Sequence, residues 1–328
     1  MPLKARVPHL RCAQMSEKMG DDKAKVVAII VTYRARAQQF EKALRALLPQ
    51  VSEVVVVDNT PSEFESEAVI VASICDSFRV TLLAQGRNTG IAAAQNIGLE
   101  ATKTLGAEYV LFSDQDSLAQ AGMVETLVTT ANELRKSGVA VGCVCPAYYD
   151  TVTEQPFRFQ VSEPGKWFYR SVDAATANPW REVITSISSG TLVPVSVLER
   201  VGGMREDFFI DNVDIEWCHR ARAYGFRNFG TSRARLVHAL GDHSMRVWWF
   251  GWRRDSVYST LRLRYRFRNS IALLRLKHVP LAWCVRSGLY WIGTAYAQVL
   301  FSGRPLPSFV AILRGLRDGV LGRSGQIV

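Results

Sequence analysis

The chain has 328 residues, 48% hydrophobic and 21% charged, a balance that supports a packed core and excludes a disordered or collagen-like protein. Its formal charge of +10 is uneven, because residues 245–328 hold 14 Lys and Arg against 2 Asp and leave 26 basic and 28 acidic residues for the rest. No known nucleic-acid motif accompanies that charge, so nucleic acid is not an expected partner.

Residues 1–22 mix Lys, Arg, Pro and Ser without periodicity and lack the apolar stretch of a signal peptide, which argues against export. Residues 1–24 are read as a flexible N-terminal segment. Val26-Val27-Ala28-Ile29-Ile30-Val31 is a continuous β-branched run, the mark of a strand buried on both faces. Helical spacing follows over residues 37–48, with Phe40, Ala43, Leu44, Leu47 and Leu48 on one side. Val54-Val55-Val56-Val57 is a second strand, residues 80–83 a third and Tyr109-Val110-Leu111-Phe112 a fourth. A helix rich in small residues runs to about residue 105. Strands alternating with helices predict βαβ units and a mostly parallel sheet.

Residues 146–190 are less regular and aromatic, and are expected to add antiparallel strands and one wall of a site. Residues 214–225 read as a helix ending at glycine. The six cysteines contain no C-x-x-C pair and are read as reduced, mostly buried thiols of a cytoplasmic protein.

Ligands of an open parallel sheet bind outside the carboxyl ends of its strands. Four polar tips lie there: Thr32-Tyr33, Asp58-Asn59, Gln85 to Gly90, and Asp114-Gln115-Asp116. The last sets two carboxylates after a buried strand, an oxygen-ligand pair suited to magnesium or manganese. Asp58-Asn59 is either a plain turn or a carboxylate that accepts from a ribose hydroxyl or a base N–H. From Asn88 through Gly98, small residues would let a helix lie close to the sheet with its first turn open to phosphate. A tightly packed helix with an Asn cap is the alternative. Neither a G-x-G-x-x-G fingerprint nor a Walker lysine is present.

These motifs, with Ser189-Gly190, come in the order typical of family 2 glycosyltransferases, which the chain resembles over residues 26 to about 275. Phe209-Ile210-Asp211-Asn212-Val213-Asp214-Ile215-Glu216-Trp217, Tyr258-Ser259-Thr260-Leu261-Arg262 and Tyr265-Arg266-Phe267-Arg268-Asn269 resemble its rhamnosyltransferase branch. The resemblance implies a GT-A fold and an inverting transfer of sugar, with dTDP-L-rhamnose as the expected donor. It implies donor binding by Thr32, Tyr33, Asp58, Asn88, Gly90, Asn96, Asp114, Gln115, Ser189 and Gly190. Asp116, Asp114 and His238 would hold Mg2+ or Mn2+. The family usually has Glu-Asp before its acceptor-side helix; here Val213 replaces the Glu, which leaves Asp214 as the expected base and Asp211 as its competitor. Asp211, Glu216 and Trp217 are the expected acceptor contacts. Asp214 as a helix cap, Glu216 as a helix stabiliser, Trp217 as core and His238 as a structural residue stay open as alternatives. An inverting displacement needs one base for the acceptor hydroxyl, and a divalent ion can take the place of an acid at the leaving diphosphate.

Residues 246–278 interleave arginines with Trp248, Trp249, Phe250, Trp252, Tyr258, Tyr265 and Phe267, a composition suited to an anionic membrane surface. Residues 287–303 are too short and polar for a confident span. Packing on the catalytic domain, or a homo-oligomer interface, is the alternative use of this tail. The expected organisation is a GT-A domain over 25–245 and a helical membrane-associating or oligomerisation region over 246–328. The expected function is rhamnosyl transfer to a lipid-linked saccharide in surface polysaccharide (O-antigen-type) assembly, on the inner face of a bacterial cytoplasmic membrane. A family 2 enzyme using a UDP- or GDP-sugar and a non-catalytic membrane scaffold are the rivals.

Overall fold

In the computed structural model, which describes residues 24–150, 156–163, 169–238 and 243–327, the first apolar run is strand β1 (Val26–Thr32). Helix α1 (Ala37–Leu47), strand β2 (Glu53–Asp58), helix α2 (Glu65–Phe78) and strand β3 (Thr81–Ala84) follow. Next come α3 (Ile91–Lys103), β4 (Tyr109–Asp114), the short β5 (Leu118–Ala119) and α4 (Met123–Lys136). Among these helices α2 buries only Val71 and Cys75, too little apolar surface to mark it in the sequence.

The middle of the chain forms β6 (Val141–Asp150), a β7 (Arg158–Val161) and β8 (Arg170–Asp173) hairpin, β9 (Arg181–Val183) and β10 (Leu192–Pro194). It continues with α5 (Val195–Val201), α6 (Val213–Ala223) and β11 (Arg227–His238). A hairpin of β12 (His243–Trp248) and β13 (Trp252–Val257) then leads to α7 (Thr260–Leu274), α8 (Leu281–Phe301) and α9 (Pro305–Val320).

One mixed sheet organises the molecule, in the order β3-β2-β1-β4-β10-β6-β11-β5, with β9 also paired to β11. Strands β1 to β4 run parallel, and β6 is parallel to β11, whereas β10, β9 and β5 run antiparallel to their neighbours. The expected mostly parallel sheet with antiparallel additions is therefore present.

Alternation explains why β1 reads as unbroken hydrophobe. Val26, Ala28 and Ile30 join Phe40, Leu44 and Leu127 in a core on one face. Val27, Ile29 and Val31 join Phe112, Leu198 and Trp217 in a core on the other. Close approach of α3 to that second face depends on Gly98, where a Cβ would lie 2.5 Å from Ile29 Cγ2.

The C-terminal helices do not form a region apart. Leu273, Val279 and Trp283 belong to the second core, so the end of α7 and the start of α8 join the packing of the sheet. The boundary expected at 245 falls near the start of β12, whose hairpin packs on α8 through Met245, Val247 and Ala297. Among the described residues no helix is long and apolar enough to cross a membrane. The five cysteines described are all free, and Cys75, Cys143, Cys145 and Cys218 are buried.

Candidate functional site

Strand register assembles the polar tips. Thr32 pairs with Asp58, Asp58 with Ala84, and Val31 with Asp114, so β1 to β4 end nearly level and present their tips along one edge. Asp58 is buried, and its Oδ1 accepts from Thr32 Oγ1 at 2.8 Å, Thr60 Oγ1 at 2.7 Å and the Thr60 N–H at 3.2 Å. One carboxylate oxygen thus ties β1 to the turn after β2, and a nucleoside contact would fall to the other.

Gln115 clamps the tip of β1 to the carboxylate loop. It accepts from the Tyr33 N–H at 2.8 Å and donates from Nε2 to the Tyr33 carbonyl at 3.3 Å, while the Tyr33 ring stays exposed. Ser189 closes the other side of that loop: its Oγ accepts from the Asp114 N–H at 3.2 Å and lies 2.6 Å from Ser117 Oγ. Gly190 donates to the Phe112 carbonyl at 2.7 Å with φ of +73°, and a Cβ there would press on Leu236 and Pro146. Asp114, Gln115 and Asp116 are half-buried oxygen donors on a fixed strand end. Two carboxylates completed by a substrate diphosphate are a common magnesium or manganese arrangement, so these residues fit the expected cation. His238 ends β11, but its side chain lies outside the described residues.

The start of α3 departs from expectation. Asn88 Oδ1 accepts from the Gly90 N–H at 3.0 Å, and Asn59 donates to the Gly90 carbonyl at 3.0 Å. The first turn is not open, however. A Cβ on Gly90 would lie 2.6 Å from the Phe209 ring and 2.7 Å from its carbonyl oxygen, and the Ala92 N–H points at that oxygen from 3.5 Å. Small residues here admit a protein loop. Asn96 is likewise committed: its amide donates to Met204 O at 2.9 Å and Glu206 Oε1 at 2.8 Å, and its Oδ1 accepts from the Met204 N–H at 2.7 Å.

That loop, residues 206–212, carries Asp211 and leads into α6 and Asp214. Phe209, Asp211 and Asn212 all adopt positive φ, a costly run for residues other than glycine. Helix α7 holds it in place. Asn269 Nδ2 reaches the carbonyls of Phe208, Ile210 and Asp211 at 2.7–2.9 Å, and Arg268 donates to Phe208 O at 2.9 Å. The Tyr265 ring stacks on Phe209 with centroids 5.1 Å apart. In the sequence Arg262, Arg266, Arg268 and Asn269 stand in motifs that resemble the rhamnosyltransferase branch, without an expected role in this loop. Their available signal was the spacing of Arg262 and Arg266, which sets two guanidiniums on one helix face.

The four acidic and aromatic candidates between 211 and 217 diverge. Asp211 is ion-paired to Arg262 Nε at 3.3 Å and lies 3.9 Å from Arg266 Nη1, so taking a proton there would break a salt bridge. Asp214 is half-buried in the first turn of α6, and its Oδ1 accepts from the Ile215 N–H at 2.8 Å. Burial pushes its carboxyl up to about 6, helped by the negative charges of Asp211 and Asp114 and opposed by the Ile215 and Ser188 N–H groups. A carboxylate tuned toward neutrality beside the strand-end acids has the form of a general base.

Glu216 and Trp217 are corrections. Glu216 is fully buried, forked by Arg220 with both bonds at 3.0 Å and met by His278 Nε2 at 2.9 Å, so it is a structural ion pair. Trp217 lies in the second core with its Nε1 donating to Gly202 O at 2.9 Å. Glu216 is wholly taken up by these partners, whereas Trp217 also lines a small cavity beside Asp214 and Ser188.

Comparison with known proteins agrees with this fold. Residues 27–202 match the family model for glycosyl transferase family 2. The chain is 32% identical over 267 residues to dTDP-rhamnosyl transferase RfbF of Shigella flexneri, covering 81% of this chain and 85% of that protein. Among solved structures it is similar to GalNAc-T7 with UDP, GalNAc and Mn2+, with a TM-score of 0.54 at 12% identity over 76% of this chain. This chain spans about half of that protein, 48% of its length, and the likeness is one of fold. TarS of S. aureus aligns at a TM-score of 0.43 and 17% identity over 77% of this chain and 40% of that one, too low to bear on the fold.

Proposed function

This chain belongs to glycosyl transferase family 2, and we propose that it moves L-rhamnose from dTDP-L-rhamnose to a hydroxyl of a lipid-linked glycan, with inversion. The donor assignment draws on the similarity to the dTDP-rhamnosyl transferase, which extends over most of both chains. The mechanism rests on the placement of Asp214, half-buried in the first turn of α6 with its Oδ1 held by the Ile215 N–H at 2.8 Å and near enough to Asp114 at the end of β4 to feel its charge.

Donor binding belongs to the strand tips. Thr32, Asp58 and Asn88 shape the nucleoside side, the exposed Tyr33 ring offers a face to the base, and Gln115, Ser189 and Gly190 hold the Asp114–Asp116 loop. Asp116 and Asp114 would hold Mg2+ or Mn2+, and when bound the ion offsets charge on the diphosphate. GalNAc-T7 was solved with UDP and Mn2+, which supports divalent metal use in this fold.

Asp214 takes the proton of the attacking hydroxyl. Its orientation comes from the Ile215 N–H, which donates to Oδ1, and from the Ser188 N–H, which also supports the carboxylate. Asp211 acts through position, since Arg262 and Arg266 neutralise it at the acceptor side. A lipid-linked acceptor in bacterial surface polysaccharide assembly fits this scheme, with the enzyme peripheral on the inner face of the cytoplasmic membrane.

Titration calorimetry with dTDP, dTDP-rhamnose and UDP-glucose, each with and without manganese, tests the reading. Metal-dependent binding of the dTDP compounds is the expected result. Preference for UDP-glucose would overturn the donor, and no binding by a folded sample would favour a non-catalytic scaffold.

A further inference from the structure

Helices α8 and α9 turn mostly small and polar residues inward and several large aliphatics outward. On α8 the residues turned into the protein include Ala282, Ser287, Thr294, Ala297 and Gln298, whereas Leu281, Leu289, Ile292 and Leu300 are 71%, 66%, 68% and 63% exposed. The outward residues recur at helical spacing and so form one stripe. Helix α9 repeats the pattern. It buries Ser308, Ala311, Gly315 and Gly319 and turns out Leu306, Phe309, Leu313 and Val320. Its glycines explain the inward half: a Cβ at Gly315 would lie 2.5 Å from Arg264 O, and one at Gly319 2.6 Å from Ile271 Cβ. Helix α9 thus packs its small residues on α7, α8 turns small and polar residues toward the β12–β13 hairpin and the second core, and these aliphatics stay outside while Trp283 and Ile312 are buried. Water is a poor partner for such a surface.

The β12–β13 hairpin extends it. Its tip exposes Trp248, Trp252 and Phe250, the last 96% exposed, and docks on the end of α8 through Trp252 against Phe301 and Tyr296 Oη to Trp248 O at 3.1 Å. Between α7 and α9 lies a groove of about 420 Å3, whose apolar wall includes Leu306, Pro307 and Val310 and whose charge comes from Arg264 and Arg314.

Charge identifies the occupant. Arg304, Arg314 and Arg317 are exposed beside the stripes. The sole carboxylate after Asp255 is Asp318, which is buried and bridged to Arg264 at 2.7 Å and Arg323 at 2.8 Å. A second copy placed on this face would oppose arginine to arginine with no acid to answer. An anionic phospholipid surface answers both features, since acyl chains accept the aliphatic stripes, headgroup phosphates the arginines, and the interface the tryptophans.

We infer that the outer face of α8 and α9, with the β12–β13 tip, beds into an anionic phospholipid surface as an in-plane anchor. The inference rests on the lipid-linked acceptor reading for its purpose. Helix α7 packs on α9 and also holds Asp211 through Arg262, so the anchor sets the cleft at a constant attitude to the membrane.

The test uses the full chain, flotation with phosphatidylcholine vesicles with or without phosphatidylglycerol, and sedimentation in the absence of lipid. Wild type is expected to float with the anionic vesicles, less so at high salt, and to sediment as a monomer. Leu289→Glu with Leu313→Glu, and separately Arg314→Glu with Arg317→Glu, should each weaken flotation by about tenfold or more. These positions are solvent-exposed, so the variants should keep their fold, and dTDP binding by the same samples checks that. Loss of flotation in wild type, or variants that float like wild type, would overturn the inference. So would a wild-type dimer that Leu313→Glu dissociates, which would give the face to a second copy. Because dTDP binding is read separately, the anchor can fail while the nucleotide-sugar reading stands, and the reverse.

Discussion

Arg262 grips Asp211 from α7, its Nε 3.3 Å from one carboxylate oxygen and 3.4 Å from the other, three residues before the half-buried Asp214. Two acids nearly adjacent in sequence thus sit in opposite environments, one beside two guanidiniums and one desolvated near other carboxylates. Environments that push neighbouring carboxyls apart separate their roles. Asp214→Asn should lower kcat by roughly 10^2 to 10^4-fold with dTDP binding retained. Asp211→Asn should cost less, by disturbing position. Steady-state kinetics with calorimetry on both variants decides it, and an inactive Asp211→Asn beside an active Asp214→Asn would reverse the assignment.

The raised carboxyl of Asp214 sets the pH response. As base it must be ionised, so kcat should fall as pH drops through its folded value, which is about 6 in the metal-free protein and is lowered by a cation bound beside Asp114. Stability runs the other way. A folded value above the ordinary 3.8 means that the folded chain holds this proton more tightly, so the contribution is present below about 4 and lost as pH rises through about 6. Asp214→Asn should therefore stabilise the protein at neutral pH by about 1–2 kcal/mol after solvent screening, with no gain below pH ~4. Thermal melts across pH measure this; a variant that melts lower at pH ~7 would contradict it.

Glu216 predicts the opposite phenotype. Glu216→Gln leaves Arg220 without its fork and His278 without its partner, and should destabilise the fold by about 3–5 kcal/mol. Turnover per folded molecule should change little. Denaturant unfolding with activity corrected for the folded fraction separates the two, and a selective rise in acceptor KM at unchanged stability would restore Glu216 to the acceptor site.

Asn269 is a positioning residue for the strained loop. Its amide serves three carbonyls, so Asn269→Ala should cost about 2–3 kcal/mol and loosen the segment leading to Asp214. Acceptor KM should rise while dTDP affinity holds, because the donor tips lie on other elements. Equal losses of donor and acceptor binding would show that the loop does more than orient the acceptor side.

The cation reading has its own check. Chelation should abolish transfer, Mg2+ or Mn2+ should restore it, and Asp116→Asn should weaken metal-dependent dTDP binding by roughly tenfold or more. Binding of dTDP that ignores both chelation and this substitution would remove the metal from the scheme.

The alternating strands, the level polar tips and the Asp114–Asp116 pair were legible in the sequence because each depends on local periodicity and on what a strand end presents. Family membership was legible in the order of those motifs. Helix α2 escaped notice because so little of it is buried. The fates of Asp211, Asp214, Glu216 and Trp217 were decided by tertiary structure alone. Those four residues share one short stretch, yet partners from α7, His278 and Gly202 and local burial sort them into an ion pair, a desolvated carboxyl, a buried fork and core. Gly90 and the α8 stripe show the same limit. Spacing reports which positions are small or apolar, but whether the covering surface is a ligand, a loop or lipid depends on contacts between residues far apart in the chain, and folding alone brings these together.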